Sequence, residues 1–202
     1  MKRIILLVFV FSAIQIYAQD DVRWGFSLGT NFSNSFGVAS GEFQTADYKP
    51  CLMGSLFIES ALSYKIIEQV YIGISERGSK SSASIGGQSY SSKNSALYAV
   101  IGNKQKVLFA DWFYMFLSEY VEFGIISRSS SSTNSTVYNM YKGDKDLKQR
   151  RLSAGASLGI GVTLWDHIFI EPEFTLGFTN LSRQDKTFMN YFGLVISGGY
   201  KF

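Results

Sequence analysis

The sequence predicts an all-β chain: a transmembrane antiparallel up-and-down β-barrel of about eight strands, preceded by a cleaved signal peptide. Three observations predict it. A short apolar run follows a basic start. Period-two alternation of large apolar and small or polar residues then returns along the whole chain. The connections between alternating segments are in turn very short and long.

Met1, Lys2 and Arg3 make a positive start, and residues 4–16 are apolar except for Ser12 and Gln15. That run is too short to span a bilayer comfortably, and Ala18 is a small residue placed as a signal peptidase requires, although Ile16 is bulkier than usual two places before it. The expected division is a signal peptide over 1–18 and one barrel domain over 19–202; the alternative is an N-terminal membrane anchor. Cys51 is the single cysteine, so export does not serve an internal disulfide, and no cysteine follows the apolar run to carry a lipid.

The composition agrees. Of 202 residues 16% are aromatic and 17% charged, with 19 glycines and 2 prolines, a balance that favours strands over helices. A net charge of +3 without a basic run gives nucleic acid no footprint.

The elements follow in order. Val22, Trp24, Phe26, Leu28 and Phe32 alternate with Arg23, Gly25, Ser27, Gly29 and Asn31. Leu52, Leu56, Ile58 and Leu62 oppose Ser55, Phe57, Glu59 and Ala61, and Val70, Ile72 and Ile74 oppose Gln69, Tyr71, Gly73, Ser75 and Arg77. Residues 96–102 are apolar without a clear face. Residues 112–126 hold Glu119 and Glu122, an odd number apart, which predicts a bulge or one Glu at a rim. The last three segments are the clearest: Leu152 to Leu164 with Gly155, Ser157, Gly159 and Gly161 between, Ile168 to Phe178 with Glu171, Glu173 and Thr175 between, and Phe192 to Phe202 with Ser197, Gly199 and Lys201 between. Successive side chains of a strand take opposite faces, so each segment has one oily side. Tight turns are expected at 65–67 and 165–167, and long polar loops at 34–50, 79–92, 128–148 and 182–187. This asymmetry is that of outer-membrane barrels, with the turns periplasmic and the loops outside.

The polar faces are built of Gly, Ser and Thr rather than the Lys and Glu of a soluble exterior. An eight-stranded bore is just filled by side chains, and the large residues would crowd it. They are therefore expected to face lipid, in the outer membrane of a Gram-negative bacterium, with a soluble secreted barrel as the alternative. Arg23, Glu59, Arg77, Arg151, Glu171 and Glu173 are then expected inside as a charge network that closes the lumen. Trp24, Tyr64, Tyr71, Trp112, Trp165, Tyr200 and Phe202 fall near strand ends, where aromatic rings favour the interface.

Residues 57–65 (FIESALSYK), followed by 71–80 (YIGISERGSK), resemble the second hairpin of Bacteroidetes-type outer-membrane β-barrel proteins, the PorT-like "porin family" domain. So do residues 154–181 and the closing 198–202 (GGYKF). The resemblance covers nearly all of the mature chain and lies in strands and turns, with a departure at 99–106 and 119–123. It implies the barrel fold, a last strand ending in Phe202 that the barrel-assembly machinery reads, and a part in protein secretion for some members.

No catalytic constellation is visible. The one histidine, His167, falls in a predicted periplasmic turn, no His/Cys cluster offers zinc ligands, and the glycines belong to strands rather than to a phosphate-cradling loop. Glu171 and Glu173 share a face, and their expected role is ion pairing with Arg23, Arg77 or Arg151 rather than acid–base chemistry. The expectation is a non-enzymatic barrel with no cofactor, whose partners are outer-membrane lipid, the assembly machinery and an unspecified loop-binding partner. A narrow porin-like channel and a PorT-like secretion component are the alternatives.

Overall fold

The computed structural model describes residues 22–39, 42–85, 88–131, 134–138, 141, 149–182 and 188–202. The expected signal peptide and its cleavage site lie outside the described residues.

Eight long strands form the wall: β1 (Val22–Ala39), β3 (Asp47–Ser63), β4 (Ile66–Ile85), β5 (Gln88–Ala110), β6 (Phe113–Ser131), β8 (Leu152–Leu164), β9 (Ile168–Gly177) and β10 (Phe188–Lys201). Two short ones, β2 (Glu42–Thr45) and β7 (Asn134–Tyr138), pair with β1 and β6 near the loop end. Each wall strand pairs antiparallel with its sequence neighbour in the order β10-β9-β8-β6-β5-β4-β3-β1. Pairing of β1 with β10, from Gly25↔Lys201 to Val38↔Phe188, then closes the barrel. Closure leaves no wall strand with an open edge, which hydrocarbon would penalise.

Strand pairing reaches further than the alternation predicted. Much of 34–50, 79–92 and 128–138 is strand rather than loop; β4 and β5 remain paired out to Ile85↔Gln88. The stretches 79–92 and 128–138 are largely polar on both faces, so they carry little amphipathic signal, yet backbone pairing needs none; in 34–50 Phe36 and Val38 continue the period-two apolar row of the first segment. The short connection at 165–167 is where it was expected, with Trp165 and Asp166 at φ of 49° and 61°; the one expected at 65–67 falls earlier, at Tyr64 and Lys65, and Ile66 and Ile67 already belong to β4.

The two faces sort by size and chemistry. The apolar row of β8 and β9, including Leu158, Ile160, Ile170 and Phe174, is exposed on the outside, while Ser157, Glu171, Glu173 and Thr175 are buried within. Corresponding rows on β1, β3, β4, β6 and β10 extend this apolar exterior around the barrel, with Trp24, Tyr64, Trp112, Trp165 and Phe202 exposed at the turn end.

The bulge expected in 112–126 is present but does not fall between the two acids. β6 is regular there, paired Asn103↔Glu119 and Val100↔Glu122, and the extra residue is Ile125, since Leu97 pairs with Ile126 and Tyr98 with Gly124. Glu122 therefore points inward and is buried, and Glu119 is exposed on the outer face between Leu117 and Val121.

Candidate functional site

The lumen is the candidate site, and its contents follow from strand parity. Lys104 and Lys106 share the inward row of β5, Glu171 and Glu173 that of β9. Glu59 enters from β3 and Lys201 from β10. Lys106 Nζ lies 3.0 Å from Glu59 Oε2 and 3.3 Å from Glu171 Oε1. Lys104 is paired with Glu171 and lies 3.8 Å from Glu173, and Lys201 lies 3.5 Å from Glu59. Strands β6 and β8 separate β5 from β9, so the Lys104–Glu171 pair spans the bore rather than bracing neighbours.

Hydrogen bonds complete the shell. The Tyr114 hydroxyl donates to Glu171 Oε1 at 2.7 Å, and Ser157 Oγ donates to Glu173 Oε2 at 3.0 Å. Lys106 stands among the rings of Phe57, Tyr114 and Phe169, and Lys104 lies 4.1 Å from the Phe116 centroid. Six formal charges, three of each sign, are thus desolvated together, each with at least one opposite partner.

Further towards the loop end, Arg77 Nε donates to Glu122 Oε1 at 2.8 Å, with the guanidinium 5.1 Å from the Tyr120 ring. Beyond that pair the interior becomes apolar and aromatic: Ala96, Tyr98, Val100, Tyr120, Leu181 and Tyr191 form one buried cluster. Glycines make space for the rings. A Cβ on Gly161 would sit 2.2 Å from the Tyr114 ring, and one on Gly155 would meet Tyr120 at 2.4 Å. At the turn end the lumen opens into a cavity of ≈ 200 Å³ whose lining includes Arg23, Glu59, Lys106, Asp111, Asp166 and Lys201.

The residues expected to form one network divide three ways. Glu59, Glu171 and Glu173 come together. Arg77 is buried but stands apart, paired with Glu122. Arg23 and Arg151 depart from the expectation. Arg23 is exposed at the cavity mouth and makes no ion pair among the described residues. Arg151 is half-buried, its guanidinium 5.2 Å from the Tyr141 ring and 6.0 Å from that of Phe123. Arg23 is the second residue of β1 and Arg151 directly precedes β8: the bore is open at one end, and at the other Arg151 finds aromatic faces. The carboxylates at the centre are met by lysines instead. Lys104 and Lys106 escaped the sequence reading because 96–106 shows no clean alternation, its inward row passing from Ala, Tyr and Val to Gly and Lys; Glu122 was noted only for its odd spacing from Glu119, and Tyr114 was not singled out. Lys201 was legible, standing in the polar row of the last strand.

His167 closes the turn end. Its Nδ1 is 2.9 Å from the Lys201 carbonyl oxygen, and its ring stacks on Tyr200 at 5.4 Å. Among the described residues no group of three or more His, Cys, Asp or Glu is placed to hold a metal ion.

This barrel has the architecture of outer-membrane proteins. It is similar to Neisserial surface protein A, with a TM-score of 0.51 at 6% identity over 91% of this chain and 100% of that one. It is also similar to Ail, the attachment invasion locus protein of Yersinia pestis (TM-score 0.49, 12% identity, 90% and 99% covered), and to the outer membrane protease OmpT from Escherichia coli (TM-score 0.45, 9% identity, 91% and 96% covered). At such identities the likeness is one of fold. No family model matches the chain, and no curated protein matches it.

Proposed function

We propose that this chain is a non-enzymatic barrel of the outer membrane of a Gram-negative bacterium, exported by its N-terminal segment, with a lumen that is a plug rather than a pore. The observation that carries the reading is the packed interior: the cross-bore lysine–glutamate cluster, the Arg77–Glu122 pair and the aromatic layer follow one another along the axis. An eight-stranded wall leaves room for little more. The exposed apolar belt suits lipid, and the long paired hairpins at the loop end offer the surface through which a structural or interaction role would act. The terminal Phe202 would be read by the assembly machinery. Membership of the PorT-like group rests on the strand and turn patterns at 57–80 and 154–202.

Two measurements test this. A folded membrane barrel resists SDS until heated and so migrates differently before and after boiling; equal migration with recovery in the soluble periplasmic fraction would favour a secreted soluble barrel. Planar-bilayer recording tests the plug. The expected result is little or no steady conductance in the wild type and intermittent openings in the Glu171→Gln, Glu173→Gln double variant. A large stable wild-type conductance that the double change merely retunes in selectivity would favour a channel.

A further inference from the structure

Past the apolar belt, towards the loop end, the outer wall of β4, β5 and β6 turns basic. Lys80 on β4 and Lys93 on β5 are exposed and directly opposite each other in the register, and Arg128 on β6 is exposed opposite Ser95. Ser79 and Ser127, next in sequence to Lys80 and Arg128, are buried on the inner side, so the two cations point outward. Lys93 shares the face of its partner Lys80, and Arg128 is its diagonal neighbour. No ion pair among the described residues holds any of the three. Acids are scarce around them. β5 has none, β4 has none past Glu76, and β6 has none past Glu122, which faces inward to Arg77. Glu76 is taken by Lys49 at 2.7 Å. Asp47, opposite Lys80 on the β3 side, is the other acid at this level, and Arg150, exposed two residues before Leu152 on the β8 side, adds a further cation.

Depth decides what meets this surface. The paired Leu97 and Ile126 end the apolar belt on β5 and β6; Arg128 is two residues past Ile126, and Lys93 four residues before Leu97. With a rise of about 3.3 Å per residue on strands tilted by about 45°, the three cations stand roughly 5–10 Å beyond the belt edge, in the layer of lipid headgroups. Like charges directly opposite on paired strands repel each other. An anion set between Lys80 and Lys93 removes that repulsion.

We propose that this patch binds the phosphate group of an anionic lipid headgroup in the leaflet at the loop end. The proposal rests on the membrane-barrel reading above, which puts a headgroup rather than bulk water against the wall at this depth. Charge complementarity supplies the rest. The two ammonium groups act as point charges on the phosphate oxygens, and the planar guanidinium of Arg128, nearer the belt, offers a fork of donors that matches phosphate. Asp47 stands at the β3 edge and offsets part of the charge on Lys80, so Lys93 and Arg128 carry most of the attraction. A free phosphate would meet the same cations. The lipid adds acyl chains, for which the exposed Ile126 and Ile74 supply an apolar surface directly below the patch.

The test is native mass spectrometry of the folded protein released from neutral detergent micelles that contain phosphatidylglycerol, or phosphatidylcholine with the same acyl chains, with soluble glycerol 3-phosphate as a third arm. The proteins are the wild type, Lys93→Gln, Arg128→Gln, the triple variant with Lys80→Gln added, and Lys65→Gln, which alters an exposed cation at the turn end. The wild type is expected to retain phosphatidylglycerol in preference to phosphatidylcholine. Each single patch change is expected to weaken that binding by about fivefold and the triple change by about a hundredfold, while Lys65→Gln leaves the preference as it is. Should the triple variant not fold, the single changes decide. Equal retention of the two lipids, or phosphatidylglycerol binding unmoved by the patch changes, would overturn the proposal. Binding of glycerol 3-phosphate as tight as that of the lipid would overturn the lipid assignment in favour of a free phosphate. Absence of the heat-dependent gel shift in the wild type would instead strike the membrane-barrel reading, so the two failures are distinct.

Discussion

Lys106 and Glu59 are joined at 3.0 Å from strands that do not touch, since β4 runs between β3 and β5. The same ammonium reaches Glu171 on β9, which makes Lys106 the member of the cluster that ties three separated parts of the wall together.

Removing that ammonium strands charge in the interior. Lys106→Met is expected to destabilise the folded barrel by about 3 kcal/mol, the cost of breaking a buried pair from one side. Adding Glu59→Gln should recover part of the loss, because the neutral amide no longer needs the cation. Denaturant unfolding in lipid vesicles, arranged as a double-mutant cycle, measures the coupling; strictly additive losses would show the contact to be energetically idle.

Gly161 and Tyr114 test the packing of the plug. With only 2.2 Å between a Cβ at 161 and the ring, Gly161→Ala must move Tyr114 and disturb the hydroxyl that holds Glu171. The expected cost is about 1–3 kcal/mol, the range for overpacking. In a Tyr114→Ala background the same substitution should cost far less, and unfolding midpoints of the four proteins read the difference.

The turn between β8 and β9 holds two side chains in left-handed backbone, Trp165 at φ 49° and Asp166 at φ 61°, with His167 N–H donating to the Leu164 carbonyl at 3.3 Å. Two-residue hairpin turns of this form favour glycine at the second position. Asp166→Gly is therefore expected to stabilise the barrel by up to about 1 kcal/mol, seen as a higher unfolding temperature. A fall in stability would mean that the Asp166 side chain contributes more than its backbone costs.

The orientation of the wall is tested at Leu158, which is 56% exposed on the outer row of β8. Leu158→Arg is expected to cost about 2–4 kcal/mol if that row meets lipid near the midplane, whereas Leu158→Val should be nearly neutral. Equal stability of the arginine and valine variants in vesicles would place this row in water.

Much of the architecture was legible because a membrane barrel writes itself in period two. Leu158, Phe174 and Leu194 stand on the outside, and Ser157, Thr175 and Ser197 within, as alternation alone requires. The loop-end halves of β4, β5 and β6 were not legible, since above the apolar belt both faces are polar and no contrast marks the strand. The candidate site was half legible for a related reason. Parity turns Glu59, Arg77, Glu171 and Glu173 inward, but parity says nothing about depth, and depth separates Arg23 at the open mouth from Lys106 at the centre.

What the sequence determined by itself, then, was the wall: a period-two backbone, its oily face and its inward acids, all set by the opposite pointing of successive residues on one strand. Partnership was decided only in three dimensions. Glu59, Lys106 and Glu171 are far apart in the chain and sit on non-adjacent strands, so closure and shear of the barrel bring them to one level. The same regular register carries Glu122 inward to Arg77 and leaves Glu119, three residues earlier, on the apolar exterior. Parity puts the two acids on opposite faces; only the closed barrel shows which of them faces the lumen and that Arg77 stands there to pair with it.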